Sequence, residues 1–195
     1  MAAWPDPDSR PLGVVLVGGA SRRMGRDKAT LELDGRPLGS HAVDALAGTG
    51  LPVVLLGGTR HHEQTLRRPC WPDRRPGHGP LVSLWGLLAD VGRDVVALPC
   101  DLPEVTPEHV RALVHGGAPK LARVGCIDGR PAYPIGWWSS AIVPTLATAT
   151  NNGIRSFREA LAGVSAGLDS VDLVGIDDVD DPDQLRRLGY PPPHD

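Results

Sequence analysis

The sequence has few cysteines, no long apolar run and no excess of charge of one sign, and each shortage argues against a class of protein. Its three cysteines, Cys70, Cys100 and Cys126, are too widely spaced for a Cys-x-x-Cys zinc site or redox disulfide. No apolar stretch reaches the roughly 18 to 20 residues that span a bilayer, and the amino-terminal segment has no apolar signal-peptide core. We therefore expect reduced thiols, a cytoplasmic location and no membrane partner.

The net charge is also small, at −3 with a pI near 6.1. Such a chain has no basic field that would attract nucleic acid, so we expect no nucleic-acid partner. A polyphosphate ligand would have to be held by a few well-placed cations. With 195 residues, 41% of them hydrophobic, the chain is suited to one globular domain.

The two ends of the chain differ in composition from the region between them. Both ends are rich in proline and acidic residues and have no periodic apolar pattern, so residues 1–11 and 191–195 are predicted to be flexible tails. Residues 12–190 are predicted to form the domain, in two halves at about 12–118 and about 119–190.

Short apolar runs alternate with segments of helical periodicity along this domain. The runs that begin at Leu12, Leu51 and Asp94 lack polar alternation, which is typical of buried parallel strands. Further on, the segment LARVGCIDGRPAYPIGWW could form two edge strands joined by a turn at Asp128-Gly129. Weaker helical patterns cover residues 139–149 and 154–162.

The helices between the strands are marked by capping residues and apolar stripes. After Gly79, one stripe has helical spacing and should face the sheet: Leu81, Leu84, Trp85 and Leu88. Thr106 before Pro107 predicts a helix start, and Asp181 before Pro182 predicts another that ends at Gly189. This alternation predicts an α/β sandwich with a mainly parallel sheet, in which ligands bind at the carboxyl ends of the strands.

The loop after the first predicted strand has the composition of a phosphate-binding loop. In it Gly18, Gly19 and Gly25 surround the cations Arg22, Arg23 and Lys28. Glycines let the main chain direct several N–H groups at phosphate oxygens, and the cations offset the charge. The spacing matches neither a Walker loop nor the dinucleotide-binding G-x-G-x-x-G. The alternative is a glycine-rich turn with solvated arginines.

Two aspartates are placed to reach the crevice at the strand ends. Asp101, in Cys100-Asp101-Leu102-Pro103, comes at the end of the third strand and would project into the same crevice. Because magnesium is usually held by one or two carboxylates plus phosphates and water, Asp101 is a candidate metal ligand, with a turn-forming role as the alternative. Asp73 is either a second acid in this crevice or a solvated loop residue.

From Leu16 to Leu38 the chain resembles the signature of the molybdenum cofactor guanylyltransferases, L-x-G-G-x-S-x-R-M-G-x-D-K with a later G-x-P-L. The matching residues are Leu16, Gly18, Gly19, Ser21, Arg23, Met24, Gly25, Asp27, Lys28, Gly35, Pro37 and Leu38. Asp73 with Gly79-Pro80-Leu81 is similar to a second family element, and the Asp101 segment to a third. A weaker likeness to the family's carboxyl-terminal element begins at Val179.

The resemblance implies a single Rossmann-like three-layer α/β/α sandwich, with residues 12–118 as the nucleotide-binding half and residues 119–190 as the acceptor-binding half. It also implies a nucleotidyltransferase that moves GMP from GTP to molybdenum-loaded molybdopterin. It implies Mg²⁺ as cofactor, with Mn²⁺ possible, and molybdoenzyme apoproteins or cofactor chaperones as further partners. Arg23, Lys28 and Asp101 would be catalytic, with Asp101 as the metal ligand. The implied nucleotide-binding residues are Leu16, Gly18, Gly19, Ser21, Arg23, Gly25, Lys28, Asp73, Gly79 and Pro80.

Departures from the family pattern leave alternatives open. Gly57-Gly58-Thr59 replaces an asparagine-containing stretch that contributes to base recognition, and Ser83 replaces a glycine. A cytidylyltransferase for the same pterin, a sugar-phosphate nucleotidyltransferase and a non-catalytic cofactor delivery protein are therefore alternatives. Leu102 favours the guanylyl branch, because the cytidylyl branch typically has glutamine after the metal aspartate.

Two other features have simpler interpretations. Trp137 and Trp138 could stack on a pterin, but aromatic side chains more often fill a core, and we expect packing. His61 and His62 lack the spacing of metal ligands, which favours a solvated helix start.

Overall fold

The fold is organised around a seven-stranded sheet, with a two-stranded ribbon beside it. The computed structural model describes residues 10–18, 27–178 and 184. The strands are β1 (Leu12–Leu16), β2 (Glu32–Leu33), β3 (Arg36–Pro37), β4 (Val53–Leu56), β5 (Cys70–Trp71), β6 (Val95–Pro99), β7 (Ala122–Ile127), β8 (Arg130–Trp138) and β9 (Leu168–Asp172). Strands β2 and β3 form the ribbon, and the other seven lie in the order β5-β4-β1-β6-β8-β7-β9.

The connectivity places a switch point between β1 and β6. Strand β1 pairs in parallel with both β4 and β6, and β4 pairs in parallel with β5. The chain thus runs from β1 towards one edge and then returns to the other side of β1. In open α/β sheets, the crevice at such a point, beyond the carboxyl ends of the strands, is where ligands bind.

The hairpin predicted around Asp128-Gly129 is present, but its strands are not edge strands. Strand β8 pairs antiparallel with both β6 and β7, and β7 pairs in parallel with β9 on its other side. The prediction was wrong because the outermost strand, β9, has three exposed polar residues and no long apolar run, so its sequence did not indicate a strand. Four of the six strand pairings in the sheet are parallel, which confirms the mainly parallel sheet.

The helices cover both faces of this sheet. They are α1 (Leu38–Ala47), α2 (Arg60–Leu66), α3 (Pro80–Val91), α4 (Pro107–Val114), α5 (Val143–Asn151) and α6 (Phe157–Leu161). One apolar core packs residues of α3, α5 and α6 against the sheet, and the other packs residues of α1 and α4 against the opposite face. Successive residues of β1 alternate between these cores, which explains why that strand is apolar throughout. The three-layer prediction is therefore confirmed.

The predicted helix signals have mixed outcomes. The apolar stripe of α3 faces the core, and Thr106 is the N-cap of α4. The helix predicted to begin at Asp181 lies outside the described residues except for Gln184, which is helical. No helix in the described part of the chain is long and apolar enough to cross a membrane.

Candidate active site

A cavity of about 230 Å³ opens at the switch point, beyond the carboxyl ends of β1 and β6. Ten residues from five segments of the chain line it: Leu16, Val17, Gly18, Asp27, Lys28, Pro80, Pro99, Cys100, Asp101 and Pro134. Five of the predicted site residues are therefore brought together here, although they are up to 85 positions apart in the sequence. Pro134, contributed by β8, had no signal in the sequence that pointed to this site.

The principal polar contact in the cavity joins Lys28 and Asp101. Lys28 Nζ donates to Asp101 Oδ2 at 3.1 Å, and the two side chains are only 13% and 17% exposed. The pairing crosses the switch point, because Lys28 follows β1 in the chain and Asp101 follows β6. A cation and a carboxylate held together at the mouth of such a crevice are suited to phosphate and to a phosphate-bound metal ion, respectively.

The turn that carries Lys28 is fixed by the preceding residue. Lys28 begins a short 3₁₀ helix (Lys28–Thr30), and Asp27 is its N-cap. Asp27 Oδ1 accepts a hydrogen bond of 3.0 Å from the Ala29 N–H, an otherwise unpaired donor at the helix start. Ala29 is fully buried beneath this turn. Asp27 belongs to the motif quoted above, but the sequence had not indicated a function for it.

His62 lies against Asp27, and the prediction that it belongs to a solvated helix start is wrong. Its side chain is 7% exposed, and Nε2 lies 2.7 Å from Asp27 Oδ2. On the other side of the ring, Nδ1 accepts the N–H of Thr59 at 3.0 Å, so His62 takes the place of glutamate or glutamine in a capping box that begins α2. The Thr-x-x-His spacing was the signal that could have predicted this burial.

The floor of the cavity depends on two glycines that approach each other closely. A Cβ atom on Gly18 would lie 2.9 Å from the carbonyl oxygen of Gly57, closer than Cβ atoms are found in proteins. Gly57 itself has a φ of +78°, in the left-handed region that favours glycine. Gly57, the first residue of the stretch noted above as a departure from the family pattern, thus makes a backbone contact that leaves no room for a side chain on Gly18.

Asp73 is held beside this floor and does not line the cavity. Its Oδ2 accepts the Ser83 hydroxyl at 2.6 Å, and its Oδ1 accepts the Arg75 N–H at 2.8 Å. Ser83, noted above as a departure from the family pattern, therefore orients Asp73. Gly79 is the N-cap of α3 and does not line the cavity, while Pro80 at the first helical position does.

The remaining predicted residues of the glycine-rich loop lie outside the described residues. These are Gly19, Ser21, Arg23 and Gly25, together with Arg22 and Met24.

Cys100 lies in the cavity wall, but its environment opposes a role as nucleophile. Burial raises the pKa of the thiol to about 12, and the neighbouring carboxylates of Asp101 and Asp27 contribute to this rise, whereas Lys28 opposes it. The reactive form of cysteine is the thiolate, so this thiol is inert near neutral pH.

The donor set around Asp101 is compatible with magnesium that is already bound to phosphate. Among the described residues, no group of three or more His, Cys, Asp or Glu side chains could hold a metal, and Lys28 is the one hydrogen-bond donor to Asp101. A zinc-like site formed by protein ligands alone is therefore not present in that part of the chain. Magnesium typically takes one or two carboxylates and completes its octahedron with phosphates and water, which fits a single aspartate at the mouth of a crevice.

Trp137 and Trp138 pack within the protein, as predicted. Both rings are buried; the indole N–H of Trp138 donates to the Pro134 carbonyl at 2.9 Å, and that of Trp137 to Asp94 at 3.2 Å. Their polar atoms are thus satisfied within the fold, and Trp138 contributes to the site indirectly by supporting Pro134.

Comparison with known proteins gives a consistent result. The family model of the MobA-like NTP transferase domain matches residues 13–166. A protein of Mycobacterium tuberculosis (strain ATCC 25618 / H37Rv), named as a probable molybdenum cofactor guanylyltransferase, is 36% identical over 170 residues, covering 83% of this chain and 84% of the relative. The molybdenum cofactor guanylyltransferase of Vibrio cholerae is 29% identical over 147 residues, covering 73% and 72%.

A solved structure shares the fold. The molybdopterin-guanine dinucleotide biosynthesis protein A from Archaeoglobus fulgidus superposes with a TM-score of 0.71 at 21% identity, over 90% of this chain and 95% of that one.

Proposed function

We propose a specific reaction for this chain, which belongs to the MobA-like NTP transferase domain family. In this proposal, the nucleotidyltransferase moves GMP from Mg-GTP onto the terminal phosphate of molybdenum-loaded molybdopterin. Pyrophosphate is the second product. The relatives from Mycobacterium tuberculosis and Vibrio cholerae, whose names state guanylyl transfer, support the choice of nucleotide and cofactor.

The observation that carries the proposal is the Lys28–Asp101 pair in the cavity at the switch point. The ammonium group and the carboxylate lie 3.1 Å apart and are largely shielded from water, and a charged pair held in a cavity at the strand ends is typical of a ligand site. A magnesium-bound triphosphate is complementary to both groups, because its oxygens attract the ammonium and its metal ion attracts the carboxylate.

In the proposed reaction, the protein forms no covalent bond to either substrate. An oxygen of the terminal pterin phosphate attacks the α-phosphorus of GTP, the bond from that phosphorus to the bridging oxygen breaks, and pyrophosphate leaves with the electron pair. Catalysis then consists of positioning and of offsetting negative charge. In our proposal the main chain near Gly18 holds the triphosphate, and Lys28 offsets charge that develops on the leaving group. Arg23 acts with Lys28, and Asp73 binds the nucleotide or the acceptor.

Asp101 would hold Mg²⁺, or Mn²⁺ in its place, together with phosphate oxygens. The bound ion would supply further neutralisation of phosphate charge. Asp101 is the residue we assign to this role because it lies in the cavity, and its Oδ1 has no hydrogen-bond donor among the described residues.

Pyrophosphate release tests the proposal. The purified protein is incubated with magnesium and each of GTP, CTP, ATP and UTP, in parallel without an acceptor, with molybdenum-loaded molybdopterin and with a sugar phosphate. We expect release with GTP that depends on the pterin. A preference for CTP would move the protein to the cytidylyl branch, release that requires a sugar phosphate would identify that acceptor, and GTP binding without release would indicate a delivery protein.

Two variants link the activity to the proposed site. Lys28→Met and Asp101→Asn should each lower turnover by at least about a hundredfold, as removal of a transition-state charge partner commonly does. Lys120→Met is the matched control, because it removes the chain's other lysine from an exposed position outside the cavity. Full activity of folded Lys28→Met or Asp101→Asn would contradict the proposal.

A further inference from the structure

His62 is held in one tautomer by the start of α2. Its Nδ1 accepts the Thr59 N–H at 3.0 Å, so in the neutral ring the proton is on Nε2. Nε2 faces Asp27 Oδ2 at 2.7 Å. The N–H does not point straight at this oxygen, so the contact is not a linear hydrogen bond. A carboxylate still attracts a bent N–H at this distance, because a full charge acts in all directions.

Asp27 is thereby held from two sides. Its Oδ1 caps the 3₁₀ helix through the Ala29 N–H, and its Oδ2 faces His62. The side chain is 42% exposed, so in the described part of the chain its rotation is limited by the bond to Oδ1 and by the His62 contact to Oδ2. Lys28 lies between Asp27 and Ala29, and its direction is set by the backbone that this carboxylate fixes.

We propose that His62 is a positioning residue, which acts through Asp27 to fix the turn that carries Lys28 and so holds the lysine ammonium at the triphosphate site. The inference rests on the proposed function, because it takes the binding of triphosphate by Lys28 from there. It adds a contact that links the first turn of α2 to the loop after β1. His62 itself does not line the cavity.

The chain contains a matched control for this role. His109 occupies the same position in the capping box of α4, where its Nδ1 accepts the Thr106 N–H at 3.1 Å. Its Nε2 instead lies 3.0 Å from the carbonyl oxygen of Val174, away from the cavity. Substitutions at His109 therefore perturb an equivalent helix cap without changing the setting of Lys28.

Two substitutions separate capping from positioning. Glutamine in His62→Gln can accept the Thr59 N–H with its oxygen and donate to Asp27 with its nitrogen, so it retains both contacts. Glutamate in His62→Glu still forms a standard capping box, but it places a second carboxylate against Asp27. We expect His62→Gln to lose less than about threefold in kcat/KM, and His62→Glu to lose about tenfold or more, mainly in kcat.

A double variant that exchanges the carboxylate and the hydrogen-bond donor of this pair, here called the reversed pair, provides a second test if His62→Glu folds poorly. In the double variant His62→Glu with Asp27→Asn, the asparagine amide can donate to the introduced glutamate, while its oxygen still caps Ala29. We expect the double variant to recover most of the kcat that His62→Glu loses. The corresponding substitution His109→Glu should lower the melting temperature without a specific loss of kcat.

The setting of Lys28 can be followed without turnover, because the chain contains only two lysines, Lys28 and Lys120. Protein labelled with ¹⁵N at lysine Nζ should give two side-chain signals, assigned with Lys120→Arg. We expect the Lys28 signal to move in His62→Glu and to return towards its wild-type position in the double variant. The Lys120 signal, and both signals in His109→Glu, should stay in place.

These readouts separate the two proposals. A wild-type protein that releases no pyrophosphate counts against the proposed function, while the NMR signals still test the positioning role. Equal loss of kcat in folded His62→Gln and His62→Glu, or an unmoved Lys28 signal in His62→Glu, would overturn the positioning role. A capping role alone predicts an unmoved Lys28 signal in His62→Glu and no recovery of kcat in the reversed pair.

Discussion

The Lys28–Asp101 pair should also contribute measurably to folding, and a double-mutant cycle gives its magnitude. At 3.1 Å and an effective dielectric constant near 20, the attraction between the charges is about 5 kcal/mol. Desolvation of two side chains that are only 13% and 17% exposed offsets most of this. We therefore expect a coupling free energy of about 1 to 2 kcal/mol.

The cycle compares Lys28→Met, Asp101→Asn and the double variant. Each single change removes one charge of a largely buried ion pair, so both should lower the free energy of unfolding. The double variant should be more stable than the sum of the single changes predicts, by the coupling free energy. The other interactions of each side chain are removed in the single and double variants alike and cancel in the comparison.

Urea denaturation followed by circular dichroism measures these free energies. The urea midpoint should change while the slope stays constant, because the surface exposed on unfolding is the same. In thermal melts, 1 kcal/mol corresponds to about 2 to 4 °C for a chain of this size. Additivity of the two changes within about 0.5 kcal/mol would show that the pair does not interact in solution, and would refute the reasoning that places it at the centre of the site.

Two further predictions concern the cavity wall. Gly18→Ala would place a Cβ atom 2.9 Å from the Gly57 carbonyl oxygen, so the backbone must shift. We expect the affinity for GTP, measured by calorimetry, to fall about tenfold or more. Wild-type affinity in this variant would show that the loop tolerates the shift. The pKa of Cys100 is raised to about 12, so only about one thiol in ten thousand is ionised at pH 8. Alkylation of Cys100 in the native protein, measured by mass spectrometry, should therefore be very slow. Its rate should rise about tenfold per pH unit up to pH 10. A plateau below pH 9 would contradict that environment.

Much of the fold could be predicted from the sequence, because the signals are local. Unbroken apolar runs such as the one at Leu12 are typical of strands buried on both faces, and Thr106-Pro107 is a helix start that depends on neighbouring residues alone. The structure confirms both. Strand β9 could not be predicted in this way, because its polar residues form a strand only through pairing with β7.

The chemical character of the site was also present in the sequence. The glycine-rich segment and Asp101 each follow an apolar run, and parallel strands bring their carboxyl ends to one edge of the sheet. Lys28 and Asp101 could therefore be named as site residues from their positions, and the structure places them 3.1 Å apart.

Only the tertiary structure decided which side chains support that pair. His62 and Asp27 are 35 positions apart, and no periodicity relates them. They meet because β1 and β4 are neighbours in the sheet, which brings the first turn of α2 against the loop after β1. Pro134 enters the cavity because β8 pairs with β6. The sequence determined which residues carry charge and which segments form strands, because those are local properties. The packing of the sheet determined which of these residues touch, because contacts between distant segments depend on the whole fold.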